Sequence, residues 1–160
     1  MRRCIVLGFL MLALAAVASA IHPFGTVKRD RVAPLLAGAH IDAANFARIF
    51  GSCANCHSEH VDWPWYSYVA PLSWAVESDV HKARSRLNLS RWAEYSVDER
   101  AALLSAIGNV AKLNAMPPLR YRALHPESVL SEAGRNALYD WTKSERRRLR
   151  SHSNGRSQSE

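Results

Sequence analysis

Cys53-Ala54-Asn55-Cys56-His57 is the stretch on which the reading of this chain turns. Two cysteines three apart stand on one side of a helical turn, so both sulfurs reach one edge of a flat ligand while the next imidazole swings beneath its metal. This is the attachment pattern of c-type haem, with thiols for the two vinyl groups and a ring nitrogen for the iron. The pattern predicts one covalently held haem c per chain, with Cys53 and Cys56 as thioether sites and His57 as proximal iron ligand. A redox disulfide of thioredoxin type is expected near a strand-helix-strand pattern, and a tetrahedral zinc site needs a second ligand pair at finger-like spacing. Neither accompanies these residues.

The first twenty residues set the compartment. Arg2 and Arg3 precede an apolar run from Cys4 to Val17, and Ala18-Ser19-Ala20 supplies a small-residue A-x-A site. That order is a secretory signal peptide over residues 1–20, cleaved after Ala20, and it predicts an exported, periplasmic protein. Bacterial covalent haem attachment takes place outside the cytoplasmic membrane, so the two features support each other. The competing reading is an uncleaved membrane anchor, because Cys4 to Ile21 approaches the ~18 residues that begin to span a bilayer. Cys4 stands at the start of the apolar run, not its end, which argues against lipidation there. Cleavage would leave only Cys53 and Cys56, and no thiol for a structural disulfide.

The 160 residues carry a formal charge of +7, concentrated at the two ends. Arg2 and Arg3 contribute +2 and the residues from Lys143 onward +4, which leaves +1 for residues 21–142. A nearly neutral body does not fit a nucleic-acid partner. The Ser/Arg-rich stretch 146–160 has few apolar residues and is expected to be a disordered basic tail, either simply solvated or touching anionic lipid or an acidic redox partner. Residues 21–40 read as an irregular N-terminal segment and 41–145 as one haem-binding domain, with no room for a second.

Within that domain the periodicity is helical throughout, and no strand alternation of useful length occurs. A short helix over Ile41 to Phe50, capped by Asp42 with Phe46, Ile49 and Phe50 on one face, runs into Cys53. Pro71 opens a helix from Leu72 to about Arg86, with Leu72, Val76, Val80, Ala83 and Leu87 as its inner stripe. Ser96 and Glu99 have capping-box spacing for a third helix, whose apolar face is Leu103, Leu104, Ile107, Val110 and Ala111 and which Pro117 and Pro118 stop by Met116. Ser131 caps a last helix through Trp141, with Ala133, Ala137, Leu138 and Trp141 inward. The expected fold is all-α, a small cytochrome c-like helical domain around one covalently attached haem.

The iron needs a sixth ligand or an open position. Met116, 59 positions after His57 and stiffened by two following prolines, is the leading candidate; the alternative is a methionine that only fills a gap against the porphyrin or core. His60 is close to the attachment turn, His81 sits on a mid-chain helix beside Lys82, and His125 precedes Pro126; isolated histidines in such places are more often surface or cap residues. His22 and His40 lie in the irregular segment. In the cluster Trp63, Trp65, Tyr66, Tyr68 and Trp74, Trp63 and Trp65 are expected to contact the haem, and the remainder to form core under a Pro-stiffened loop. Arg120 and Tyr121 are open to either reading, haem contact or solvated Arg and core Tyr.

From Cys53 to Trp74 the chain reads CANCHSEHVDWPWYSYVAPLSW, and here it resembles the bacterial haem-binding domain family, whose members carry C-x-x-C-H-S, W-P-W-Y-S and A-P-x-S-W in that order. Asp79-Val80, then Leu87-Asn88-Leu89-Ser90-x-Trp92, resemble its next block. Met116-Pro117-Pro118-x-x-Tyr121-x-x-Leu124-His125-Pro126 with Leu130-Ser131 is similar to its C-terminal block, so the likeness spans roughly residues 45–142. The resemblance implies a monohaem, mostly helical, periplasmic or membrane-tethered domain with Cys53 and Cys56 as thioether sites and His57 as proximal ligand, and it favours Met116 as distal ligand. Ser58-Glu59-His60 departs from the family, which tends to have Asn after the Ser. The order of parts also resembles class I cytochromes c.

The expected function is one-electron transfer with His57 and Met116 holding the iron, and no proton-transfer residue is then required. This is an electron carrier more than an enzyme, serving a redox partner the sequence does not name. The alternative is a haem-based small-ligand sensor or peroxidase-like enzyme with a labile sixth ligand, for which His81 or His125 would be the distal acid-base group. A third reading is a haem-bearing docking module that recruits a larger redox complex through its basic tail.

Overall fold

A computed structural model describes residues 2–25 and 34–157, with side chains as far as His152. All regular structure among the described residues is helical. The α-helices are α1 (Arg2–Ser19), α2 (Ala43–Ser52), α3 (Ala54–His57), α4 (Leu72–Arg86), α5 (Val97–Lys112), α6 (Leu119–Leu124) and α7 (Glu132–Ser157). Three 3₁₀ turns, Trp65–Tyr68, Leu89–Glu94 and Pro126–Ser128, join them. This is the all-α architecture expected from the periodicity.

Local chemistry sets the helix ends. The Asp42 carboxylate accepts from Asn45 N–H and caps α2. Ser96 and Glu99 satisfy each other's backbone N–H in a complete capping box at α5. Ser131 Oγ accepts from Gly134 N–H at the start of α7. The far end of α5 differs from expectation. The helix stops at Lys112, before the prolines, because Asn114 takes a left-handed conformation (φ 51°) while Asn114 N–H and Ala115 N–H donate back to Ala111 O and Val110 O. Met116 therefore stands on a loop, not at a helix end.

The framework is the pair α5 and α7, the most extensive helix contact in the molecule. Leu104, Ile107 and Ala111 of α5 and Leu138, Trp141 and Leu149 of α7 share one buried cluster with Ile49, Leu89 and Trp92. Gly108 marks the close approach: a Cβ there would collide with Thr142 Oγ1 and crowd Tyr139. The absence of a side chain lets the two backbones meet, which outweighs the weak helix propensity of glycine.

Two expectations are corrected. Of the stripe expected on α4, Val80 and the following Leu87 are buried, but Leu72 is exposed and Ser73, Glu77 and Ser78 face inward instead, and on α2 Ile49 is buried while Phe46 and Phe50 stack on each other outside. Spacing gives a periodic face but not which way it is rotated. The basic stretch from Arg146 is also not a disordered tail: α7 continues through it to Ser157, and only 158–160 lie outside the described residues. Leu149 extends the inner stripe into this stretch, and buried Glu145 accepts from Arg148 and from His40 N–H. Residues 34–40 of the irregular segment lie along this part of α7. There Leu35 and Leu36 are buried, Arg148 donates to Gly38 O, and Trp141 Nε1 donates to His40 O. A helix that composition alone cannot stabilise is held by tertiary contacts.

Gly108→Ala should be destabilising by about 1–3 kcal/mol, although alanine is the better helix former. A urea midpoint that rises instead would show that α5 and α7 separate easily.

Candidate functional site

Cys53 belongs to two helices at once. Its N–H donates to Ile49 O at the end of α2, and its carbonyl accepts from Cys56 N–H and His57 N–H at the start of α3. The single turn of α3 then displays Cys53, Cys56 and His57 along one wall of a cavity of about 220 Å³. Leu103, Ile107 and Val110 of α5 form the facing wall. Met116, Pro117 and Tyr121 close it from the loop and α6, and Leu87 and Leu89 contribute from the segment after α4. Met116 thus shares a cavity with the attachment turn. The α5 residues serve two surfaces: Leu104 and Gly108 pack into the core, Leu103 and Val110 line the cavity, and buried Ile107 and Ala111 belong to both.

The donors are set up for a metalloporphyrin. His57 Nδ1 lies 3.1 Å from Leu87 O, at the end of α4, which fixes the tautomer and leaves Nε2 for a metal. Burial holds the His57 imidazole below its ordinary pKa, against the pull of the Leu87 carbonyl, so the ring keeps the neutral, metal-binding form. Burial pushes the Cys53 thiol up to about 12, with Cys56 adding to the effect, and raises Cys56 as well. Neutral thiols, an imidazole, a thioether and aliphatic walls fit a flat apolar macrocycle whose metal takes nitrogen and sulfur ligands. Among the described residues no three of His, Cys, Asp and Glu cluster as a metal cage, so nothing completes a zinc tetrahedron around the cysteines.

A polar network braces the loop on the other side. Tyr121 Oη accepts from Asn55 Nδ2, inside the attachment motif, at 2.9 Å, and Asn55 Oδ1 accepts from Asp62 N–H. The Tyr121 ring stacks on His125 with centroids 4.4 Å apart. His125 Nδ1 is 3.0 Å from the Glu127 carboxylate and Nε2 is 2.7 Å from Tyr66 Oη. A carboxylate can only accept, so Nδ1 donates to it, and the Tyr66 hydroxyl pairs with the other ring nitrogen. Burial raises both Tyr66 and Tyr121, which keeps their phenols protonated. α6 with His125 is thereby joined to two segments about sixty residues earlier, the C-x-x-C-H turn and the turn at Tyr66.

The structure brings together Cys53, Cys56, His57 and Met116 and leaves Trp63 and Trp65 outside the cavity lining. Trp65 is 78 % exposed, on the outer side of its 3₁₀ turn. The aromatic ring that does line the cavity is Tyr121, and Arg120 turns away to pair with Asp79. Neither His81 nor His125 lines it. The signal for Tyr121 was its position one helical turn after the two prolines; nothing in the sequence marks Asn55 as its partner.

In a double-mutant cycle of Asn55→Ala and Tyr121→Phe, the two side chains should couple by about 0.5–1.5 kcal/mol in unfolding free energy. Strict additivity would mean that the motif and the loop are not joined through this bond.

Comparison with family models matches the haem-binding domain over residues 14–144. Comparison with curated proteins and with solved structures finds no match. Since the matched span covers most of the 160 residues and contains every side chain that lines the cavity, the chain belongs to the haem-binding domain family.

Proposed function

We propose that the protein is an exported one-electron carrier in which Cys53 and Cys56 would hold a single haem c through thioether bonds, and His57 Nε2 and Met116 Sδ would ligate its iron. The observation that carries this reading is the shared cavity: residues 59 positions apart in the chain, an imidazole and a thioether, line one apolar space beside two thiols. A bound haem supplies the Fe(III)/Fe(II) couple. The protein's contribution is to hold, orient and exclude water. Leu87 O orients the imidazole, the aliphatic walls from α5 lower the local polarity, and Pro117 and Pro118 limit the freedom of the loop that presents Met116. The Asn55–Tyr121 bond ties the segment after that loop back to the C-x-x-C-H turn and would help hold His57 and Met116 in place around the group.

The sensor or peroxidase reading asks for a distal acid-base group. His125 is already engaged by Tyr66 and Glu127 and His81 is exposed, so neither supports that chemistry as well as Met116 supports electron transfer. The redox partner is a protein of unassigned identity. The basic end of α7, with Arg148 already paired to Glu145, is a candidate surface for it.

Met116→Ala should abolish the methionine-to-iron charge-transfer absorption, lower the reduction potential and open the iron to carbon monoxide. An unchanged spectrum and potential would remove Met116 from the iron. Separately, Cys53→Ser/Cys56→Ser should let acidified acetone extract the pigment, which stays with the unaltered chain; pigment lost equally from both would sink covalent attachment.

A further inference from the structure

Helix α1 buries none of its residues, and over its 18 residues the mean hydropathy is 1.8. Its length of about 27 Å is close to the hydrocarbon thickness of a bilayer. Its C-terminal end is not loose. Ala70 N–H donates to Ser19 Oγ at 2.9 Å, Trp74 Nε1 donates to Ile21 O at 2.8 Å, and His22 Nδ1 lies 2.6 Å from the buried carboxylate of Glu77. The helix therefore leaves the haem domain at residues 70–77. At that exit the domain shows water a run of aromatic and aliphatic side chains: Trp65 is 78 % exposed, Tyr68 60 %, Leu72 53 % and Val69 44 %. These four lie within eight residues that bracket Ala70, the residue bonded to the end of α1. The family match also begins at residue 14, inside α1, so cleavage after Ala20 would remove seven residues of the matched domain.

We propose that α1 stays on the mature protein as a membrane anchor and that Trp65, Tyr68, Val69 and Leu72 seat the haem domain in the interfacial layer of a phospholipid bilayer. Trp and Tyr prefer that layer, where the ring is desolvated and the indole N–H or phenol O–H still meets water and headgroups. A chain leaving the membrane at Ser19 and bonded to Ala70 keeps the patch at headgroup depth, with no further binding energy needed to bring it there. Arg2 and Arg3, before the apolar run, hold the N-terminus on the cytoplasmic side and place the domain outside. The outward orientation of Trp65, unexplained by the haem cavity, is then a contact with lipid. This inference is independent of how the iron is ligated.

The test uses the full chain matured with haem and reconstituted into phosphatidylcholine–phosphatidylglycerol vesicles that contain a phospholipid with a photoactivatable diazirine near the acyl carbonyl. Mapping adducts by mass spectrometry should find them on α1 and on the peptide containing residues 65–72. The peptide containing Leu113 and Leu119, which are also highly exposed, should stay essentially unlabelled. Trp65→Ser/Tyr68→Ser should cut the 65–72 adducts several-fold and leave those on α1 unchanged. The inference is overturned if the mature chain begins at Ile21 and washes off membranes in alkaline carbonate. It is equally overturned if adducts are confined to α1 or fall as heavily on the Leu113 peptide. A dimer that persists in detergent and that the double variant dissociates would assign the patch to a second copy and reject lipid as its occupant.

Discussion

The turn from Ile49 to His57 carries two obligations, and the rest of the domain is arranged around meeting both. Cys53 must close α2 with its N–H and open α3 with its carbonyl, which leaves no slack in the backbone between the helices. That rigidity aims the two thiols and the imidazole into one cavity. Leu87 O holds the imidazole from one side, Asn55 ties the turn to Tyr121 on the other, and Ser90 Oγ accepts from Glu59 N–H just beyond it. These partners come from two segments, 87–90 and Tyr121, at least thirty residues away in the chain, so the C-x-x-C-H turn is positioned by the fold and not by its own five residues.

The cavity is equally a product of helix packing. Gly108 lets α5 approach α7 closely enough to bury Leu104 and Leu138, and α5 then turns its remaining apolar residues toward the turn. One helix face thus serves two surfaces, a dry core and a cofactor wall. Polar groups at the periphery are paired, from His125 with Glu127 and Tyr66 to Arg120 with Asp79, and Arg86 is the one charged residue in the lining of the cavity. A site built this way favours ligands whose binding is dominated by burial and whose few polar demands are met by fixed donors and acceptors.

The two ends of the chain show how tertiary contact changes what composition suggests. At the C-terminus a run of arginines and serines has little intrinsic reason to remain ordered, yet Leu149 and the Glu145–Arg148 pair, covered by residues 34–40, carry α7 through it. At the N-terminus an apolar helix that ends in Ala18-Ser19-Ala20 is tied to α4 and its preceding turn by Ser19, Ile21 and His22. Both are long-range contacts.

By itself the sequence determined the helical class, the capping residues Asp42, Ser96 and Ser131, the C-x-x-C-H run, and the methionine before two prolines. These are local: caps, periodicity and motif spacing depend on residues within a turn or two of one another. Only the tertiary structure decided which stripe of α4 faces inward, that α5 stops at Lys112, that Tyr121 and not Trp63 or Trp65 lines the cavity, and that α7 runs on past Arg146. Each of those depends on rotating one helix against another or on a partner tens of residues away. Spacing along the chain does not encode such information, because it is fixed by which surfaces pack with fewest voids and unpaired polar groups.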